Sequence, residues 1–196
     1  MTIKCILWDF GDTLVDESWM RQPPAGFPDW PSVWSAEVGQ LAAEWDIGNL
    51  KLNNIVEPVA KRLNMSFEDA LAHAINTCAH IQFFDRPMQL VKELNLPQAI
   101  VTVNPDVFSD YVVPNYNLDQ QFEVIVTSWE EKTVDKGILC QVALDHLGID
   151  IRPEESILID NKQYNLDAWQ AKGGQTHLFT QKDRALLDLD TYFKKL

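Results

Sequence analysis

The chain begins with a short apolar run that ends in a carboxylate and a glycine-containing turn, all within residues 4–14. The run is too short for a helix, and apolar runs of this length bounded by turn residues are typical of buried strands. Asp9 follows the run directly, and Gly11 lies in the turn. Ligands of open α/β sheets bind just beyond the carboxyl ends of such strands. Asp9 therefore either faces a ligand or serves as a turn or helix-cap residue.

Two further apolar runs end in polar residues in the same way. Residues 156–159 lead to Asp160, and residues 98–101 lead to Thr102, with Asn104 two positions later. Two carboxylates held at one edge of a sheet repel each other unless a cation lies between them. Mg²⁺ prefers one or two carboxylates together with water and substrate phosphate. The pattern therefore predicts a Mg²⁺ site at the ends of these strands.

Four short segments carry a resemblance to a known family. They are residues 9–13 (Asp-Phe-Gly-Asp-Thr), residues 102–104 (Thr-Val-Asn), Lys132 or Lys136, and residues 160–161 (Asp-Asn). In this order they resemble the four motifs of the haloacid dehalogenase-like hydrolase superfamily, which are Asp-x-Asp-x-Thr, a Ser or Thr, a Lys, and one or two acidic residues. The resemblance spans nearly the whole chain, and its first and last motifs are the specific ones.

The order of the predicted elements indicates an α/β fold. Strand patterns alternate with helical patterns such as 136–147, which ends at Gly148. This alternation specifies a Rossmann-like parallel sheet with helices on both faces. Residues 15–84 carry helical patterns instead, which predict a small all-helical cap. We therefore expect a Rossmann-like core domain of residues 1–14 and 85–196 and a helical cap domain of residues 15–84.

The resemblance also implies a chemistry for the predicted site. Asp9 is the implied nucleophile, which attacks a phosphoryl group and forms an aspartyl-phosphate. The implied ligands of Mg²⁺ are Asp9, the main-chain carbonyl of Gly11, and Asp160. Thr102 and Asn104 are the candidates for holding the phosphate oxygens, and ordinary turn hydrogen bonding is the alternative for both.

The cation that steadies the nucleophile and the phosphate is Lys132 or Lys136. In the family this Lys usually precedes a Pro and lies a set distance before an apolar helix residue. Lys132 lies one residue too far from Leu139, and Lys136 lies too close to it. We prefer Lys132 as the catalytic and phosphate-binding lysine, and a solvated surface charge is the alternative for both.

Three positions depart from the family pattern. Gly11 occupies the place of a second Asp, which in the family protonates the leaving group and then activates water, and Asp12 stands one position later. Val103 precedes Asn104 where a hydroxyl is usual, and Asn161 stands where a second acid is frequent. General acid–base help is worth about 10²–10⁴-fold in rate. Either the leaving group needs little protonation, or Asp12, a cap residue or water replaces the missing carboxyl.

Composition restricts the partners of the chain. Its formal net charge of -13 over 196 residues argues against nucleic acid or an anionic membrane as a partner. A small phosphorylated substrate stays compatible, because a local Mg²⁺ and a Lys override the global charge. Cys5, Cys78 and Cys140 lack the spacing of a metal site, and buried free thiols predict a reducing cytoplasm. No apolar stretch approaches the roughly 20 residues that span a bilayer. We expect a monomer or a homodimer.

These observations support three hypotheses about function. The first is a Mg²⁺-dependent phosphatase that hydrolyses a small phosphorylated metabolite through an aspartyl-phosphate at Asp9. The second is a 2-haloacid dehalogenase, because such enzymes resemble this chain in lacking the second Asp, although they need no metal ligand like Asp160. The third is a catalytically degenerate binding or regulatory protein, since Gly11, Val103 and Asn161 all depart from the family pattern.

Overall fold

Five strands form one parallel sheet in the computed structural model, which describes residues 2–148 and 150–180. The strands are β1 (Cys5–Trp8), β2 (Gln98–Thr102), β3 (Val124–Thr127), β4 (Ser156–Asp160) and β5 (Gln175–Leu178). Their order in the sheet is β3-β2-β1-β4-β5, and every neighbouring pair is parallel. The predicted α/β class with a Rossmann-like parallel sheet is confirmed.

Eight α-helices are present in the described part of the chain. They are α1 (Trp30–Asp46), α2 (Leu52–Leu63), α3 (Phe67–Thr77), α4 (Asp85–Glu93), α5 (Val113–Tyr116), α6 (Ser128–Glu131), α7 (Lys136–Leu147) and α8 (Gln163–Gln170). Short 3₁₀ helices occupy Glu17–Arg21, Leu118–Gln120 and Pro153–Glu155, and a π-helical turn, Phe108–Val112, precedes α5. The bounds of α7 are those that the sequence predicts.

The sheet is covered on both faces, which explains why its central strands are mainly apolar. Both β1 and β4 are buried along their whole length. Alternate residues of β1 point to opposite faces. Ile6 and Trp8 belong to a buried cluster that includes Trp30 of α1, whereas Leu7 belongs to a second cluster with Leu139 of α7. Burial on both faces is typical of parallel sheets.

Within the described residues, the segment between β1 and α4 contains helices and no strand of the sheet. It contains the 3₁₀ helix Glu17–Arg21 followed by α1, α2 and α3, with α1 packed on α2 and α2 packed on α3. We call residues 15–84 the insertion. Met1, Ile149 and residues 181–196, which the sequence analysis assigns to the core domain, lie outside the described residues.

The three cysteines, Cys5, Cys78 and Cys140, are free and buried, and burial raises the pKa of the thiols of Cys5 and Cys78 to about 12. Buried thiols of this kind are unreactive packing groups. Within residues 2–148 and 150–180, no helix has both the length and the apolar character needed to cross a membrane.

Candidate active site

Three strand ends meet at the centre of the sheet. Asp9 directly follows β1, Thr102 is the last residue of β2, and Asp160 is the last residue of β4. The strand order reverses at β1, because β2 pairs with one edge of β1 and β4 pairs with the other. The crevice at such a switch point is the usual ligand site of an open α/β sheet. The fold therefore brings together the carboxylates that the sequence singles out.

Lys136, the first residue of α7, lies between these two carboxylates. Its Nζ donates a hydrogen bond to Asp9 Oδ1 at 2.6 Å and lies 3.1 Å from Asp160 Oδ2. Lys136 and Asp160 are fully buried, and Asp9 is nearly so. The ammonium group of Lys136 thus contacts two buried carboxylates. When both carboxylates are ionised, the three side chains together have a net charge of about minus one.

The pKa values of the cluster follow from burial and from these charges. Burial raises the pKa of Asp9 to about 7, the Lys136 ammonium opposes this rise, and the Asp160 carboxylate adds to it. Burial lowers the pKa of Lys136, but Asp9 and Asp160 raise it by more, so Lys136 keeps its charge. A second cation beside Asp9 would relieve the remaining carboxylate repulsion.

The structure does not bring Lys132 to this cluster, contrary to the preference that the sequence suggested. Lys132 caps the end of α6, and its Nζ lies 4.4 Å from the centre of the Trp129 ring and donates to the Gly48 carbonyl at 3.3 Å. Its ammonium therefore contacts the insertion and leaves the position between the two carboxylates to Lys136.

The physical reason for this correction lies at the start of α7. The Asp135 side chain accepts a hydrogen bond from the main chain of Ile138, so the helix begins at Lys136. The buried residues of α7 follow at helical spacing, namely Leu139, Cys140, Ala143 and Leu144. Lys136 lies on this apolar stripe, and a lysine on the buried stripe of a helix was the sequence signal for its role.

Asp160 is held rigidly by its neighbours. Oδ1 accepts a hydrogen bond from the main-chain N–H of Lys162 at 2.7 Å, and Oδ2 accepts one from Asn165 Nδ2 at 2.9 Å. Asn165 lies in the first turn of α8 and is itself buried. The sequence analysis did not identify Asn165, which orients the carboxylate predicted to bind metal.

Thr102 and Asn104, the predicted phosphate ligands, lie side by side. Asn104 Nδ2 donates to Thr102 Oγ1 at 2.7 Å, and both residues line a cavity of about 210 Å³ that also contains Asp9. Within the first motif, Thr13 Oγ1 donates to Asp9 Oδ2 at 3.3 Å. The structure thus places one hydroxyl and one amide in the wall of the cavity that Asp9 lines.

A second cavity of about 230 Å³ adjoins the first. The two share five lining residues, which are Gly11, Glu17, Asp46, Val103 and Asn104. The second cavity extends into the insertion, where Trp19, Trp34 and Trp45 form aromatic walls. The small cavity at Asp9 therefore opens into a larger chamber formed partly by the insertion.

Asp106 binds the insertion to the rest of the protein through two hydrogen bonds. Its buried carboxylate accepts a hydrogen bond from Trp45 Nε1 at 2.7 Å and another from the main-chain N–H of Leu52 at 3.0 Å. Trp129 Nε1 adds a bond to the Leu50 carbonyl at 3.2 Å. Asp106 could not be predicted from a local pattern, because its partners are more than fifty positions away along the chain.

Two further carboxyl groups, those of Glu17 and Asp46, line both cavities and were also missed. The pKa of the Glu17 carboxyl is raised, chiefly by burial of this group and further by the nearby charge of Asp12. Averaged over the whole residue, Glu17 is nevertheless exposed. Burial and the nearby Glu17 charge raise the pKa of Asp46 to about 6. The chamber therefore combines acidic and aromatic surfaces.

Asp46 gives a testable pH dependence. Because its pKa rises from 3.8 to about 6 on folding, the folded state holds its proton more tightly, and stability falls as pH rises across this window. We expect Asp46→Asn to melt at a higher temperature than the wild type at pH 8 and at the same temperature near pH 4. Melting curves over this range test the prediction, and a constant difference at every pH would contradict it.

The residues around Asp9 fit a Mg²⁺ ion. The side-chain carbonyl oxygen of Asn161 is buried, lines the same cavity as Asp9, and accepts no hydrogen bond from any described residue. No group of three or more His, Cys, Asp or Glu side chains within residues 2–148 and 150–180 forms a metal cluster. Two carboxylates, a main-chain carbonyl and an unsatisfied amide oxygen suit Mg²⁺, which keeps several of its waters.

Comparisons with known proteins support the fold. No family model and no curated protein matches the sequence. The L-2-haloacid dehalogenase from Xanthobacter autotrophicus is similar in structure, with 17% identity, a TM-score of 0.68, and coverage of 92% of this chain and 80% of that one. A HAD family enzyme from Bacteroides thetaiotaomicron, solved with magnesium and inorganic phosphate, gives 17% identity, a TM-score of 0.69, and coverage of 97% and 99%.

A third structure extends the same likeness to the full length of the chain. It is a predicted HAD-like family hydrolase from Porphyromonas gingivalis, with 12% identity, a TM-score of 0.72, and coverage of 100% of both chains. At these identities the likeness concerns the fold. The chain has the fold of the haloacid dehalogenase-like enzymes.

Proposed function

We propose that this protein is a Mg²⁺-dependent phosphatase that hydrolyses a small phosphorylated metabolite through an aspartyl-phosphate at Asp9. The observation that carries the proposal is the buried cluster of Asp9, Lys136 and Asp160, in which Asp9 lines a cavity. Phosphoryl transfer needs a nucleophile, cations that neutralise the phosphoryl oxygens, and donors that hold these oxygens still. Each requirement has a candidate residue at this site.

Asp9 and Lys136 act together in this proposal. Asp9 attacks the phosphorus atom, the bond to the ester oxygen breaks, and the alcohol departs with that oxygen. Lys136 donates to Asp9 Oδ1 and so fixes the orientation of the carboxylate. Its charge also stabilises the negative oxygens of the phosphoryl group during transfer. Thr102 and Asn104 donate further hydrogen bonds to these oxygens.

Asp9, Asp160 and the main-chain carbonyl of Gly11 would hold Mg²⁺. When bound, the ion supplies charge neutralisation to the phosphoryl oxygens. Asn161 would hydrogen-bond a metal-bound water through its unsatisfied amide oxygen. Lys136 and a bound metal would together offset most of the negative charge of the two carboxylates and the phosphate.

The insertion acts as a cap domain in this proposal, with residues 1–14 and 85–196 as the core. It covers the chamber, excludes water from the reacting groups, and contacts the organic part of the substrate through its tryptophans. A cavity of about 230 Å³ suits a small molecule. Three buried free thiols support a reducing, cytoplasmic location.

A phosphate analogue tests the proposal without knowledge of the substrate. We expect Mg²⁺ with beryllofluoride to raise the melting temperature, because the complex forms only with the folded state. At a beryllofluoride concentration one hundred times its Kd, the increase should be roughly 5–10 °C. Asp9→Asn lacks the carboxylate oxygen that binds beryllium in the beryllofluoride complex, and its melting temperature should not rise in this way. An equal shift in this variant would contradict the assignment of Asp9.

A substrate panel tests the activity itself. Sugar phosphates, nucleotides and phosphoglycolate are incubated with Mg²⁺ and, in parallel, with a chelator, and phosphate release is measured. We expect release from at least one ester, and we expect the chelator to abolish it. Absence of release from every ester, together with a stable protein partner in pull-down, would favour a binding protein instead.

A second candidate is 2-haloacid dehalogenation. Gly11 provides no second carboxyl, and the chain is similar to an L-2-haloacid dehalogenase that was solved with chloropropionic acid covalently bound. In this reaction Asp9 displaces halide from carbon, and water hydrolyses the resulting ester. Chloride release from 2-chloropropionate in the presence of a chelator, without phosphatase activity, would establish it.

A further inference from the structure

Gly11 leaves room for a carboxyl group that comes from elsewhere in the chain. A β-carbon added to Gly11 would lie 2.8 Å from both Cδ and Oε1 of Glu17. The backbone at Gly11 does not require glycine, because its φ is not in the left-handed region. The side chain of Glu17 therefore occupies the space that a side chain at position 11 would fill.

The turn after β1 places Glu17 beside Gly11. Asp12 has a φ of 55°, a left-handed conformation that turns the backbone directly after Gly11. Asp12 Oδ1 accepts a hydrogen bond from the main-chain N–H of Glu17 at 3.4 Å. Asp16 Oδ1 accepts one from Ser18 N at 2.8 Å and starts the 3₁₀ helix. Local hydrogen bonds thus hold the backbone of Glu17 beside Gly11.

Glu17 also stands at the boundary between the two cavities and lines both of them. The smaller cavity contains Asp9, and the larger one contains Trp19 and Trp34. A phosphate ester with its phosphoryl group at Asp9 and its organic part in the larger cavity has its bridging oxygen at this boundary. Among the described residues, no donor forms a hydrogen bond to the Glu17 carboxyl, which leaves it available to a substrate.

We propose that Glu17 is a catalytic residue that transfers the proton to and from the reacting oxygens, in place of a carboxyl at position 11. The inference rests on the proposed phosphatase function. As the bond between phosphorus and the ester oxygen breaks, its electron pair goes to that oxygen, which takes the proton of the Glu17 carboxyl. The Glu17 carboxylate then takes a proton from water as the water oxygen attacks the phosphorus of the Asp9 aspartyl-phosphate. This releases phosphate and restores both side chains.

First-turnover kinetics of Glu17→Gln test this proposal. 4-Nitrophenyl phosphate has a leaving group that needs little protonation, whereas a simple alkyl phosphate has one that does. We expect the first-turnover release of the alkyl alcohol to fall by about 10²–10⁴-fold and that of nitrophenol to fall much less. Because the second step also loses its base, the variant should accumulate phosphorylated protein with the nitrophenyl ester, which intact mass spectrometry measures.

Asp46→Asn is the matched control, because Asp46 lines both cavities, whereas the three atoms nearest a β-carbon at Gly11 all belong to Glu17. It should change the rate of alcohol release from both esters by the same factor, and phosphorylated protein should not accumulate.

A second experiment tests the position of the carboxyl group directly. Gly11→Asp combined with Glu17→Ala should recover turnover of the alkyl ester relative to Glu17→Ala alone. Lack of recovery in a folded protein would overturn the proposal.

The outcomes separate this proposal from the function on which it rests. If Glu17→Gln slows both esters equally, or slows neither, Glu17 is not the proton donor, while turnover of nitrophenyl phosphate still supports the phosphatase. If the wild type releases neither alcohol in the presence of Mg²⁺, the proposed function fails, and the role of Glu17 is rejected with it.

Discussion

Replacing Asp9 by Asn is expected to reduce Mg²⁺-dependent phosphate release by about 10⁴-fold or more, the scale on which loss of a nucleophile acts. The amide keeps the size of the carboxylate but cannot attack phosphorus to form an acyl phosphate. It also removes a charge from a buried site where Lys136 already serves Asp160. The variant should therefore fold, and its loss of activity should reflect the missing nucleophile and weaker Mg²⁺ binding rather than unfolding.

Phosphate release from the wild type, Asp9→Asn and Asp167→Asn is the measurement. Asp167 is an exposed carboxylate on α8, and its replacement should leave turnover at the wild-type level. Circular dichroism verifies that all three proteins are folded. Turnover that survives in Asp9→Asn would rule out the covalent mechanism and direct attention to attack by water.

Lys136→Met is expected to have the next largest effect. Without the ammonium group, Asp9 and Asp160 face each other inside the protein with no cation between them. Removing one partner of a buried ion pair costs about 3–5 kcal/mol. We expect a loss of stability of this size at neutral pH, and a fall in turnover of about 10²–10³-fold from the lost stabilisation of the phosphoryl oxygens.

Lys132→Met is the matched control for this experiment. Lys132 contacts Trp129 and Gly48 outside the cluster, so its replacement should change neither turnover nor its metal dependence substantially. Mg²⁺ should restore part of the stability of Lys136→Met, because the ion replaces the missing charge. Denaturant unfolding with and without Mg²⁺ measures this, and equal stability losses in the two lysine variants would contradict the account.

The strands and helices of the core could be read from the sequence, because burial on both faces makes their patterns strong. Continuous apolar runs identified β1 and β4, and Gly148 marked the end of α7. These signals are local, and parallel pairing then requires that the carboxyl ends of the strands meet at one edge. The positions of Asp9 and Asp160 therefore followed from pattern alone.

The remaining parts of the site depend on contacts that no local pattern contains. Spacing favoured Lys132, whereas the direction of the first turn of α7 brings Lys136 to the carboxylates. The approach of Glu17 to Gly11 depends on the left-handed backbone of Asp12. Asp46 reaches the chamber from the end of α1, and only the packing of the insertion determines its place.

The covalent intermediate at Asp9 is the central claim, and peptide mapping after rapid quenching tests it most directly. The protein is mixed with Mg²⁺ and 4-nitrophenyl phosphate, quenched in acid within a turnover, and digested with pepsin at acid pH, because an acyl phosphate hydrolyses at the alkaline pH that trypsin needs. Mass spectrometry then identifies the peptic peptide that contains Asp9. The account predicts one added phosphoryl group in this peptide, located at Asp9 and absent from Asp9→Asn. A phosphoryl group on another residue, or phosphate release at full rate with no labelled peptide, would contradict it.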